Sequence, residues 1–259
     1  MNLGKVKNFL IVLFLGINIY LVFTAYFSSR FFVDKKAVTN CVTLLQDKGI
    51  TLDPDTVPKY TVNLRGIDTK NVIHSNSKLK AQNPKIDSNF FSLEVSLDTL
   101  GAKDASRLSG PLKEYFKSLG FNTKYMKFSK SGKDDVWHID CVIGKYPVFD
   151  SSLRAYVKDG ICTVEGTWNE PQSADAVSRS TSRNTVYITS ILVSMAHNEE
   201  IVKNAPFEIE SIQFGYLASK PYGDAPSITT TALPYYRIED NKGNIYYYDA
   251  ENGMYFKEE

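Results

Sequence analysis

The side chains that most often carry chemistry are few in this chain of 259 residues, and they lie far apart in the sequence. His74, His138 and His197 have none of the spacings of a zinc site, whose neighbouring ligands are about two to five positions apart. On a strand, His138 and Asp140 would share one face while Cys141 would point to the other. The sequence therefore predicts no metal, no cofactor and no cysteine–histidine catalytic centre.

Paired carboxylates and glycine loops give no stronger signal. Asp134 and Asp135 are typical of a solvated turn, and Glu199 and Glu200 of a helix end, rather than of a general acid and base. Gly132 belongs to a hairpin turn rather than a phosphate-binding loop, and the nucleophile motif G-x-S-x-G is absent from the sequence. We predict that the protein is not an enzyme.

The chain carries an apolar segment near its start. The 19 residues from Phe9 to Phe27 include no charge, and at 1.5 Å per residue a helix of this length crosses a hydrocarbon core of about 30 Å. A cleaved signal peptide is the alternative, although Thr24 to Arg30 offers no small-x-small cleavage site. We predict a cytoplasmic tail over 1–8, a transmembrane anchor over 9–28, and a C-terminal part on the outer face of the cell membrane.

One polar residue interrupts this segment. Asn18 lies near its centre, where a lone amide facing lipid is unfavourable, and Gly16, Tyr20 and Thr24 follow one another at four-residue steps. A small or polar stripe allows another helix to approach, and an amide forms hydrogen bonds across such a contact. These four residues are therefore the predicted partner-binding site.

The composition indicates a folded remainder. Hydrophobic residues make up 43% of the chain and charged residues 23%, which excludes a disordered tail, and the net charge of +1 argues against a nucleic-acid partner. Three cysteines form no disulfide framework, although a Cys141–Cys162 bridge stays open. Periodicity predicts helices over 35–47, 106–119 and 174–198, a loop over 218–233, and strands over 60–64, 90–95, 121–128, 136–143, 146–149, 154–157, 161–168, 209–217, 235–239, 245–249 and 254–256.

An internal repeat suggests how these elements are arranged. The segment from Tyr125 to Tyr146 resembles the one from Tyr235 to Tyr255: an aromatic strand, a glycine turn and a second aromatic strand. We therefore predict an α+β fold in which two ββαβββ-like antiparallel sheet units, each with helices on one face, follow the transmembrane helix. The predicted lobes cover 31–149 and 150–259.

Several segments, taken in order, resemble the YycI family, and more broadly the YycH/YycI pair, of low-GC Gram-positive bacteria. After the Gly-Ile-Asn-Ile-Tyr-Leu run of the apolar segment, the resemblance rests on 209–216, 233–238 and 246–253. This chain has Tyr236 where the family usually has tryptophan, and Asp249 where asparagine is usual. The closing hairpin also resembles the PepSY-type module.

The resemblance implies regulation rather than catalysis. Members of the family are single-span proteins that associate with a sensor histidine kinase of the YycG (WalK) type and adjust its control of cell-wall metabolism. The expected partners are therefore such a kinase and the membrane, with a YycH-like protein as a further candidate. The alternative is an anchored PepSY-like binding or protease-inhibitor module, and an anchored cell-wall enzyme is the weakest hypothesis.

Overall fold

The computed structural model describes residues 3–28, 30–62, 64–131, 135–173, 185–218 and 229–256, and about 40% of these described residues are in strands. In the first helix, side chains are described from Ile11 to Phe23. The helices are α1 (Leu3–Ser28), α2 (Lys35–Gln46), α3 (Val72–Ser75), α4 (Ser77–Lys80), α5 (Leu97–Leu100), α6 (Ser109–Ser118), α7 (Ile188–His197) and α8 (Glu199–Val202). The strands are β1 (Arg30–Phe32), β2 (Ile50–Leu52), β3 (Tyr60–Val62), β4 (Ile67–Asn71), β5 (Lys85–Asp87), β6 (Phe90–Ser96), β7 (Met126–Lys130), β8 (Trp137–Ile143), β9 (Tyr146–Lys158), β10 (Ile161–Gly166), β11 (Asn169–Pro171), β12 (Phe207–Ala218), β13 (Thr229–Asp240), β14 (Ile245–Asp249) and β15 (Tyr255–Phe256).

The chain forms two compact units, each built from separate segments. Unit 1 consists of 1–64, 182–213 and 238–259, and unit 2 of 65–181 and 214–237. The long strands β12 and β13 each contribute residues to both units. The predicted boundary between lobes, at 149/150, falls within the continuous strand β9.

In unit 1, two helices pack together beside a small mixed sheet. Asp34 caps α2 by accepting a hydrogen bond from the Lys36 backbone N–H, and the helix buries the apolar face that its spacing predicted, at Val38, Cys41, Val42 and Leu45. That face packs against α7. Strand β2 runs parallel to β12, whereas β14 and β15 pair antiparallel.

Unit 2 is a larger mixed sheet in the order β11-β4-β13-β12-β9-β10-β6-β5, and β8 and then β7 extend it from β9. A chain of aromatic contacts forms much of its core: Phe116, Phe91 and Trp168 all pack on Phe121, with ring centroids 5.0–6.4 Å apart. Strand β12 runs parallel to β9, and glycine at position 215 allows the two backbones to approach closely. A Cβ on Gly215 would lie 2.5 Å from the Pro147 carbonyl oxygen.

Two parts of the predicted fold class are wrong. The sheets are mixed rather than antiparallel, because the parallel pairs β2–β12 and β9–β12 join segments that are far apart in sequence, so the two ββαβββ units do not form. The N-terminal transmembrane helix is also not found: among the described residues, no helix is long and apolar enough to cross a membrane.

Local predictions differ at three further places. Helix α7 begins at Ile188 rather than near 174, and residues 174–184 of the predicted helix lie outside the described part of the chain. The two short strands predicted over 146–149 and 154–157 are one strand, β9. Strand β13 begins at Thr229, within the predicted loop over 218–233. For the two strands, the periodicity indicated the element, whereas pairing with distant strands determined its ends.

Candidate functional site

The described part of α1 carries an exposed apolar surface. Its large apolar side chains between positions 11 and 23 are exposed by 45% to 71%. Folded proteins rarely leave an apolar patch of more than a few hundred Å² uncovered unless it binds something. This surface is therefore the candidate binding site. Its members are Ile11, Val12, Leu13, Phe14, Leu15, Ile17, Ile19, Tyr20, Leu21, Val22 and Phe23.

The sequence explains why this segment is helical and why it has no buried side. From position 9 to 27 there is no proline and only one glycine, and a helix satisfies the backbone N–H and C=O groups within the segment itself. Apolar residues occur on every side of the helix, so it lacks the polar face of an amphipathic surface helix. The binding surface consequently extends around the helix.

One face of α1 carries a shallow groove. Val12, Leu13, Gly16, Ile17 and Tyr20 line it. Gly16 forms the lowest part, because a Cβ built there would meet no atom within 4 Å. Two of the four predicted partner-binding residues, Gly16 and Tyr20, therefore lie together in this groove.

The other two predicted residues are placed differently. Asn18 does not line the groove: at 3.6 residues per turn it lies about 160° around the helix from both Gly16 and Tyr20. Its Nδ2 atom donates a hydrogen bond of 2.8 Å to the Phe14 carbonyl oxygen, one turn earlier in the same helix. The side chain of Thr24 lies outside the described residues. Of the described members of the predicted site, Gly16 and Tyr20 therefore share one face of α1 and Asn18 lies on another.

The three histidines lie on different elements. His74 is in α3 and His138 is in β8, opposite Ser129 and Arg154, whereas His197 ends α7 and its Nδ1 lies 2.8 Å from the Val193 carbonyl oxygen. No group of three or more metal-binding side chains occurs among the described residues.

The three cysteines are free and buried. Residues next to them show why Cys141 and Cys162 do not form a bridge: Asp140 pairs with Ser152 of β9, whereas Cys162 pairs with Val157, five residues further along that strand. At about 3.3 Å per residue the two are separated by roughly 16 Å, well beyond disulfide reach. Burial raises the pKa of Cys141 to about 12 and that of Cys162 to about 11, so both thiols stay protonated.

Sequence analysis did not identify a buried carboxylate in unit 1. Asp240 is 1% exposed and accepts hydrogen bonds from the Lys242 and Asn244 backbone N–H groups, the Asn244 side chain and the Tyr246 hydroxyl. Burial alone would raise the pKa of Asp240, but these bonds, those of Asn244 first, hold it below its usual value. Burial and the bond to Asp240 raise the pKa of Tyr246. These donors already engage the carboxylate, so the group stabilises the turn and offers little to a ligand.

A second buried carboxylate lies in unit 2. Glu170 is 1% exposed, and its Oε1 is 3.2 Å from Lys70 Nζ. Its Oε2 accepts hydrogen bonds from the Asn122 backbone N–H at 2.9 Å and from Trp168 Nε1 at 3.2 Å. The two-residue spacing of Trp168 and Glu170, typical of one strand face, was the available sequence signal. Here too the donors are internal, which indicates a structural role.

Comparison with known proteins adds little. No family model and no curated protein matches the chain. A crystal structure of an uncharacterized protein from Eubacterium rectale ATCC 33656 is similar, with a TM-score of 0.44 and 9% sequence identity, over 85% of this chain and 99% of that one. A likeness of this size carries no functional argument, and the resemblance to the YycI family stays a prediction.

Proposed function

We propose that this protein is a non-catalytic accessory protein that binds a sensor histidine kinase of the YycG/WalK type and changes its activity. The observation that carries the proposal is the exposed apolar surface of α1 from Ile11 to Phe23. Burial of apolar surface is favourable by about 25 cal/mol per Å², so such a surface favours association strongly. The choice of a kinase as partner rests on the sequence resemblance to the YycI family.

Several properties of the surface support a protein partner. It is convex and largely apolar, and it has a groove at Gly16 that leaves room for a side chain of a partner. An apolar helix recognises another helix or a hydrophobic groove through contacts at three- and four-residue steps. Its location on the outer side of a bacterial cell, and a YycH-like third component, stay predictions.

The test measures autophosphorylation of a purified WalK-type kinase, in the same detergent or vesicle preparation, with and without the full chain. We expect the chain to change the rate and to co-precipitate with the kinase. A control chain with leucine at every position from 11 to 23 keeps the apolar character but removes the native side-chain pattern, and we expect it to lose most of the effect.

Two results would refute the proposal. One is an unchanged autophosphorylation rate together with no co-precipitation at concentrations well above those in cells. The other is inhibition of a secreted peptidase by the chain with no effect on the kinase, which would favour the PepSY-like alternative.

A further inference from the structure

The groove on α1 has the residue pattern of a helix-packing surface. Val12, Gly16 and Tyr20 form one row at four-residue steps, and Leu13 and Ile17 form the row beside it. Rows of this spacing are the ridges that interdigitate in the commonest class of helix pairs, which cross at about −50°. The groove face therefore has both the ridges and the intervening depression that packing requires.

We propose that the groove face of α1 packs against the same face of a second copy of this chain. The face is self-complementary, because Leu13 and Tyr20 project from it and Gly16 leaves a depression that a projecting side chain of the other copy fills. A two-fold symmetric contact uses the same surface twice, and so needs both features on one face. No charged residue lies between Lys7 and Arg30, so two copies meet along this segment without like-charge repulsion.

The exposed area of this face is sufficient for a specific contact. Val12, Leu13, Ile17, Tyr20 and Phe23 are each exposed by 45% to 71%. If the five lose about 100 Å² of accessible surface on average, which is most of what they expose, the pair buries about 1,000 Å² in total, the area at which specific interfaces begin. A contact of this size predicts a dimer that dissociates on dilution.

Self-association through the groove leaves the opposite side of α1 uncovered. Ile11, Asn18 and Val22 lie on that side, about 80° or more around the helix from every groove residue. A kinase therefore has access to α1 in the dimer as well as in the monomer. The dimer proposal does not depend on the proposed function, and it is tested without any kinase present.

The test is oxidative crosslinking of variants of the full chain that each gain one cysteine on α1, kept in solution with a nonionic detergent. Leu13→Cys places a thiol on the groove face, and Ile11→Cys places one about 160° away on the same helix. The native cysteines Cys41, Cys141 and Cys162 are buried and contribute little background. We expect a covalent dimer from Leu13→Cys, with a yield several-fold higher than from Ile11→Cys.

A second substitution tests whether the two copies associate specifically through the groove or only through nonspecific apolar contact. Adding Gly16→Leu to Leu13→Cys fills the depression and should reduce crosslinking several-fold, whereas the matched Val22→Leu on the opposite side should leave it unchanged. Circular dichroism of each variant reports whether it folds. Equal yields from Leu13→Cys and Ile11→Cys, crosslinking from neither, or no effect of Gly16→Leu in a folded chain would each overturn the proposal.

Discussion

The segments around β7–β8 and β13–β14 share a sequence pattern, but the aspartate of the first turn is exposed in one and buried in the other. The turn between β7 and β8 has an ion pair, Lys130 Nζ to Asp135 Oδ1 at 2.6 Å, in which the aspartate is 76% exposed. The turn between β13 and β14 has the buried Asp240, with four hydrogen-bond donors from Lys242, Asn244 and Tyr246. A similar pattern of strands and glycine turns can therefore place its aspartate carboxylate either in solvent or in the protein interior.

The difference has an energetic consequence. An exposed ion pair is weakened by water and salt and typically contributes at most about 1 kcal/mol. A buried carboxylate that satisfies several donors contributes more, because its removal leaves those donors unpaired away from water. The burial of a turn, rather than its sequence pattern, therefore determines how much its aspartate contributes to stability.

The largest expected effect is at the buried turn. Asp240→Ala removes the acceptor of all four hydrogen bonds and should lower the free energy of unfolding by about 3 kcal/mol, since the Tyr246 hydroxyl and the turn N–H groups lose their partner. Urea unfolding followed by circular dichroism measures it. A loss below about 1 kcal/mol would contradict the contrast between the two turns, because it would match an exposed pair.

A smaller effect concerns pH. Because the folded-state pKa of Asp240 is below its unfolded value of about 3.9, its stabilisation is present above that value and is lost as pH falls through the folded pKa. The stability difference between the wild-type chain and Asp240→Asn should be constant above about pH 5 and should shrink below about pH 4. Unfolding curves over this range measure it. If the stability difference between the two chains grew on acidification, the folded-state pKa of Asp240 would be raised rather than lowered.

The smallest effect is at the exposed turn. Asp135→Ala should lower the free energy of unfolding by no more than about 1 kcal/mol, because the Lys130–Asp135 pair is largely solvated. The loss should diminish in about 1 M salt, where screening acts over only about 3 Å. Asp240→Ala, measured in the same two salt conditions, serves as the comparison, and its loss should change little. Equal salt sensitivity in both variants would contradict the distinction between an exposed ion pair at Asp135 and a buried carboxylate at Asp240.

Local features were predictable from the sequence to the extent that they depend on neighbouring residues. The spacing of Val38, Cys41, Val42 and Leu45 indicated α2, and these residues are buried as expected. The Asp-Gly pair before Ile161 indicated the turn between β9 and β10, which pair antiparallel. Both signals come from a short stretch of chain.

Features that depend on distant residues were not predictable. The parallel pairing of β12 with β2 and β9 joins segments up to 157 positions apart, as at Phe207 and Ile50, and no periodicity encodes it. From the sequence, Gly215 is an ordinary strand glycine; only the structure shows that the Pro147 carbonyl lies beside it. The candidate site was partly predictable: Gly16 and Tyr20 share a groove, and the two-residue offset of Asn18 from each of them already places it on another face of a helix.

The segmented construction of the two units has a consequence for the order in which the chain can fold. Unit 2 includes residues up to 237, and unit 1 includes a segment that begins at 238, so neither is complete until β13 has left the ribosome. Until then β4 and β12 each lack one neighbouring strand, β13, which pairs with both of them. Chains dominated by such distant contacts fold slowly and are prone to aggregate while they wait. We therefore expect the nascent protein to depend on chaperones more than its size would suggest.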